Sequence, residues 1–309
     1  MAYQTTTPAS VSALVSQIIA FAVANANMTD ATGSPAGSNG GYTQHALQTP
    51  SGAYITLAYN STEILANTST AWSKNTALVS QTGAHSLNAR YRTTATPVKA
   101  WMFADGYSCH VVINPTAGAY HHLSFGRLEK FGTYTGGEYV AASYLPSATF
   151  LNSTWIMPHY WKNNGTPSYN NSVRVTYGGL QVAAQGYIGA SDANNFNCGF
   201  AGTSGAGQAG ATLYGDPLWR QPNSYNGRAV IMPPQYFLAY DKLSAITPEG
   251  WIPIGQVSNC GYINMENINP EDVTNDDWVV FPLCMKNPVN PILANYEVDT
   301  QNIGLAYKK

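Results

Sequence analysis

Val11, Leu14, Ile18, Phe21 and Ala22 recur at intervals of three and four, a spacing that gathers apolar side chains on one face of a helix. Pro8 and Ser10 stand just ahead, where a turn into such a helix would start. An amphipathic helix is therefore predicted within residues 1–30. Beyond it the pattern becomes that of strands. Thr32–Tyr42 is rich in Gly, Ser and Asn, and Asn39-Gly40 is a strong turn signal. Tyr54–Tyr59 then reads as a strand, and a weaker region follows to about Val98. Trp101-Met102-Phe103 and Cys109–Ile113 read as two strands joined by a turn at Ala104-Asp105-Gly106, with His121–Phe125 and Tyr139–Tyr144 continuing the same sheet.

From Pro146 to Asn226 Asn, Gly and Ser crowd the chain, interrupted by Trp155, Trp161, Trp219 and several tyrosines. Arg174–Tyr177 is a strand candidate beyond the turn at Asn163-Asn164-Gly165. Strand-like runs return at Gly261–Met265 and Trp278–Leu283. These patterns predict a mainly β fold, β-sandwich or barrel-like with Gly/Asn-rich loops, carrying an N-terminal amphipathic helix. Four regions are expected: the helix (1–30), a β-rich core (31–145), a loop-rich insertion or second β unit (146–226), and C-terminal strands that complete the core (227–309).

His121–Val140 stands apart, because Gly126, Gly132, Gly136 and Gly137 punctuate a run that is otherwise aromatic, β-branched or polar. Glycine in such a setting suits bulges or close backbone approach. With Arg127-Leu128-Glu129-Lys130 as its one charged cluster, the segment reads as one that shapes a surface rather than runs a reaction. Together with Trp251-Ile252-Pro253-Ile254-Gly255, Trp278–Leu283 and the ending Ile303–Lys309, it resembles virion structural proteins of tailed bacteriophages, those of neck, tail and baseplate. The resemblance spans roughly a third of the chain. It implies a virion protein assembled in the host cytoplasm, whose partners are copies of itself and other virion proteins. It also implies a ring or layer closed by heterologous contacts, and it carries over no catalytic residue and no cofactor. Tyr134, Tyr139, Trp251 and Trp278 are the candidate interface residues, with core packing as the competing role for each. The first helix and Lys308-Lys309 are further candidates for reach toward a neighbour.

Composition sharpens this picture. Charged residues make up 10% of the 309 and tyrosines number 21, against a charged share of roughly 25% in ordinary soluble domains. Low charge with abundant aromatics suits a surface covered by other subunits. A net charge of −2 offers none of the basic stripe that nucleic-acid binding needs. The apolar stretch Ala13–Ala26 has no Lys or Arg before it, Lys74 being the first in the chain. It therefore lacks the flank of a signal peptide and the length of a membrane span.

The candidate chemistry is thin. Cys109, Cys198, Cys260 and Cys284 show no metal-ligand spacing, and the sequence leaves their disulfide state open. Gly205–Gly210 matches a dinucleotide-binding glycine pattern but lacks the strand, helix and acid that pattern requires. His121 and His122 are neighbours and point to opposite faces of a strand, so at most one could join His110; polar residues of an ordered sheet at a subunit contact are the simpler reading. Asp105, Glu129 and Glu138 are the carboxylates from which a glycosidase pair would be drawn. An Asn/Gly/Trp-rich middle also fits an alternative role as a receptor- or carbohydrate-binding module, with a host-surface glycan as partner. A glycan hydrolase is the second alternative.

Overall fold

The computed structural model describes residues 1–84, 88–92, 96–143, 173–177, 180–183, 196–199, 229–240, 250–273, 277–283 and 303–309, with the backbone alone for 173–177, 180–183, 196–199, 237–240, 250–253 and Ile303. In chain order the first elements are β1 (Ala2–Thr6), α1 (Val11–Asn25), β2 (Thr29–Asp30), β3 (Gly37–Asn39), β4 (Tyr42–Gln48), β5 (Tyr54–Tyr59), β6 (Glu63–Ser69) and β7 (Ala89–Arg92). There follow β8 (Lys99–Ala104), β9 (Ser108–Asn114), β10 (His121–Arg127), β11 (Glu129–Lys130) and β12 (Gly136–Ala142). The middle of the chain contributes β13 (Val173–Tyr177), β14 (Leu180–Ala183) and β15 (Phe196–Gly199). The last part holds β16 (Gln235–Tyr240), β17 (Gly250–Gln256), β18 (Cys260–Asn264), β19 (Trp278–Pro282) and β20 (Ile303–Lys308).

A seven-stranded sheet in the order β1-β8-β9-β10-β12-β13-β14 forms the centre, and its pairings are antiparallel throughout. Alternation along its strands sends two sets of side chains to opposite faces. Met102, Val111, Leu123 and Ala142 form one cross-strand row, and they pack against α1 and the sheet β2-β4-β5-β6-β7. Trp101, Phe103, Val112, Tyr139 and Ala141 face the other way. They meet Ile254 of β17, Tyr262 of β18, Phe281 of β19 and Tyr307 of β20, which belong to the sheets β11-β17-β16-β15 and β18-β20-β19. With both faces covered, every residue of β9 and β12 is buried, as is all of β10 except Arg127. Withdrawing aromatic and aliphatic side chains of this size from water stabilises the fold by about 1.5–3 kcal/mol each.

The helix lies where its spacing predicts. Ser10 is its N-cap, accepting the Ala13 N–H at 3.0 Å, a contact of about 1 kcal/mol. Leu14, Val15, Ile18 and Ala22 are wholly buried beneath it, so α1 is a packed part of the core and not a free arm. The strands predicted at Tyr54–Tyr59 and on both sides of Asp105 are present, as are those at β10, β12, β13, β18 and β19. The chain is thus mostly β with one helix near the N-terminus, and none of the described sheets closes into a barrel. Tyr144 and most of 146–226 lie outside the described residues, including Gly205–Gly210, the turn at 163–165 and Trp155, Trp161 and Trp219. β13 and β14 extend the central sheet, and β15 joins β16.

One expectation is overturned. The segment His121–Val140 does not mainly shape a surface, since it supplies two central strands of the core. Its glycines do serve close approach. Gly126 has φ +151°, and a Cβ there would meet the Tyr107 carbonyl oxygen at 2.3 Å and the Ser108 Cα at 2.6 Å. The register of β12 against β13 also shifts between Gly136 and Tyr139, a bulge that the paired glycines permit.

Gly126→Ala should therefore destabilise the protein by about 3 kcal/mol or more, through backbone strain and the clash together. Gly132→Ala, whose Cβ would meet nothing within 4 Å, should cost less than about 0.5 kcal/mol. Urea denaturation of the two variants checks the contrast, and equal losses would refute the packing account.

Candidate functional site

Three sheets meet around an open cleft of about 630 Å³. The turn between β8 and β9 builds one wall. There Asp105 Oδ1 accepts the backbone N–H groups of Tyr107 and Ser108, both at 2.7 Å, and Asp105 Oδ2 accepts from Asn259 Nδ2 across the cleft. An aspartate at the head of a turn does this because its short side chain reaches the backbone two and three residues on. The second wall is the pairing of β11 with β17, where Gln256 Nε2 donates to Glu129 Oε2 at 2.8 Å. Trp278 of β19 and Lys308 of β20, opposite each other in register, supply the third. Ile231, Pro233 and Val257 add apolar lining. The cleft thus combines two carboxylates, two side-chain amides, an ammonium and two aromatic rings.

The carboxylates of the sequence reading divide. Asp105 and Glu129 share this cleft, whereas Glu138 is fully buried and accepts a hydrogen bond from the Ser51 hydroxyl in the turn between β4 and β5. Of the four candidate interface aromatics, Trp278 is half-buried in the cleft wall. Tyr134 is half-buried against the core, with Lys130 Nζ 4.6 Å from its ring centre. Tyr139 is wholly buried and donates to Ser108 Oγ at 2.9 Å. Alternation along β12 turns it inward, so it leaves the list of surface residues and takes the core role. Trp251 sits in β17 opposite Ala239, and its side chain lies outside the described residues. Lys308 is held in β20, and Lys309 Nζ lies 5.6 Å from the Tyr3 ring. Neither lysine is a loose end. Sequence reasoning missed Tyr107, Gln256 and Asn259; the turn positions of Tyr107 and Asn259 were the available signal.

The histidines form a second polar cluster, wholly inside. His121 turns toward the N-terminal sheet, its ring edge-on to Tyr91 with centres 5.3 Å apart. His110 and His122 share the other face, as alternation requires, and both lie against Tyr307, at 5.3 and 5.8 Å between ring centres. His122 Nε2 donates to the Pro282 carbonyl at 2.9 Å, and His122 Nδ1 accepts the Tyr307 hydroxyl at 2.8 Å. His110 Nε2 donates to the Ser258 carbonyl at 2.9 Å, and its Nδ1 accepts the Ser124 hydroxyl at 2.9 Å. A carbonyl can only accept, which fixes both rings in the Nε2–H tautomer. These residues belong to an ordered sheet, as expected, but their contact lies between layers of one chain. Among the described residues no group of three or more His, Cys, Asp and Glu side chains could hold a metal ion.

Cys109 and Cys260 are buried on opposite faces of the central sheet, and neither forms a disulfide. The side chains of Cys198 and Cys284 lie outside the described residues. No helix among the described residues is long and apolar enough to cross a membrane.

Burial pulls His110 and His122 down to about 4 and His121, which also feels His122, to about 3, from an ordinary 6.5. The unfolded chain therefore takes up these protons first. Their contribution is complete above pH 6.5 and is lost as pH falls from there toward 4, and toward 3 for His121, roughly 3 kcal/mol for each of His110 and His122 and roughly 5 kcal/mol for His121. Urea midpoints should drop steadily across that window, and His122→Gln should flatten the slope by about one proton. Tyr307→Phe should cost about 1–3 kcal/mol at pH 7.5 by leaving His122 Nδ1 without its donor. Stability that stays level between pH 6.5 and 4 would contradict this account.

No protein-family model and no curated protein matches the sequence.

Proposed function

We propose that this protein is a structural component of a tailed-phage particle, in the neck, tail or baseplate, and that it acts by packing against copies of itself and other virion proteins. The observation that carries the reading is the free edge of the central sheet. β1 ends that sheet, and among the described residues no strand lies on its far side. Tyr3, Gln4 and Thr5 are exposed, and Ala2–Thr6 contains neither a charge nor a proline. Such an edge offers unpaired backbone groups to any extended segment, and β proteins that remain alone guard it with charge, proline, a bulge or a covering loop. An edge strand with no charge or proline of its own suits a subunit whose neighbour completes the sheet.

Two further features support the reading. The chain has few charges to repel an incoming partner. The segments that carry the resemblance to phage structural proteins build β10, β11, β12, β17, β19 and β20, six strands of the packed layers. We read the stacked layers as a sandwich-type arrangement, a rigid body of the kind a ring or collar is made from.

Mass spectrometry of purified phage particles should find this chain in multiple copies. Gln4→Lys, which places a charge on the open edge, should leave the folded content by circular dichroism unchanged. It should also abolish the larger species that the wild-type chain forms, alone or with co-encoded virion proteins, in light scattering. A chain missing from every particle, and monomeric with each of those proteins, would overturn the proposal.

A further inference from the structure

We infer that the cleft between the β8–β9 turn, the β11–β17 pairing and the β19–β20 pairing is a binding site for a neutral saccharide. Its volume of about 630 Å³ falls within the range of small-molecule sites, roughly 300–1,000 Å³. Its polar groups are held in place before any ligand arrives. Asp105 is fixed by two backbone amides and by Asn259, and Glu129 is fixed by Gln256. A site whose groups are already oriented loses little freedom on binding.

Several atoms remain open after those contacts. Among the described residues no hydrogen bond or ion pair engages Glu129 Oε1, Gln256 Oε1, Lys308 Nζ or the Tyr107 hydroxyl. A carboxylate and a side-chain amide oxygen accept from sugar hydroxyls, and an ammonium donates to them. Tyr107 is 46% exposed and Trp278 half-buried, and flat rings with a polar edge cover the C–H face of a pyranose while leaving its hydroxyls to those groups.

Charge selects the class of ligand. Asp105 and Glu129 against Lys308 give the cleft a net charge of −1. That balance disfavours phosphates and polyanions, which would meet two carboxylates, and it lacks the unpaired acidic field that would draw a polycation. A neutral polyhydroxyl ligand uses all three charges as hydrogen-bond partners and brings none of its own to desolvate.

The test uses the full chain and named probes: maltohexaose, cellohexaose and chitohexaose by titration calorimetry, backed by an array of neutral bacterial glycans. At least one should bind saturably. Tyr107→Ala and Glu129→Gln change exposed side chains, and each should weaken that binding about tenfold or more with the melting temperature unchanged. Wild-type protein that binds no neutral glycan, or that prefers a charged peptide or a phosphate, overturns the inference. So does binding that both variants retain in full. Particle composition is measured independently, so this inference and the structural proposal can fail separately.

Discussion

Three hydrogen bonds tie the C-terminal strands to the central sheet, and the layering depends on them: His110 to the Ser258 carbonyl, His122 to the Pro282 carbonyl, and Tyr307 to His122. All of their side chains are buried, with Tyr307 wholly withdrawn from solvent. Hydrophobic burial alone would hold these layers together without fixing their register, because it has no direction. A buried ring nitrogen facing a carbonyl does have direction, and slipping by one residue would strand both groups at a cost of roughly 1–3 kcal/mol each. Burial pushes the Tyr307 hydroxyl well above its ordinary range, so it stays protonated and keeps its role as donor. The same burial keeps the imidazoles neutral, which their pairing with carbonyls and a hydroxyl requires.

Around this polar clamp the aromatics take their places. Phe103 stacks on Tyr307 at 5.2 Å between ring centres, and Trp101 meets Phe281 at 5.0 Å. Offset and tilted ring pairs add about 0.5–1.5 kcal/mol beyond the area they bury. The aromatic richness of this chain, at least over these strands, is spent inside. That alters how composition bears on function. Tyr139, Tyr236, Tyr262 and Tyr307 are all wholly or almost wholly buried, so an abundance of tyrosine does not itself mark a sticky surface. The assembly reading rests more firmly on the open edge of β1 and on the scarcity of charge.

Much of the secondary structure was legible because it is written in local patterns. The helix shows a spacing of three and four with a serine at its start, and β5, β9 and β19 are apolar runs bounded by turn residues. β6 was not legible, since Asn67, Thr68 and Ser69 are polar yet buried, and Asn67 Nδ2 finds its partner in Asn88 Oδ1 at 3.0 Å. Nor was β1, whose Gln and Thr residues carry no apolar alternation and whose pairing is with a strand about a hundred positions away. Alternation placed His121 and His122 on opposite faces and so allowed His110 only one partner face. It could not reveal that residues 258, 282 and 307 would come to meet those rings. The cleft has the same difficulty in stronger form, because Asp105 and Asn259 are separated by 154 positions and Glu129 and Gln256 by 127.

Clamp and cleft are consequences of one arrangement. Ser258, whose carbonyl accepts the His110 Nε2–H, is followed by Asn259, which reaches Asp105 at the cleft wall. Tyr307, which donates to His122, precedes Lys308 on the same strand, and alternation turns the lysine outward as surely as it turns the tyrosine in. The buried hydrogen bonds thereby set where the cleft's polar groups stand. A shift of the C-terminal sheet large enough to misplace Lys308 or Trp278 would have to break the histidine contacts first. The strands that carry Lys308 and Trp278 are thereby anchored to the core beneath them. This is the condition under which a few exposed polar groups can recognise a ligand without a closing loop.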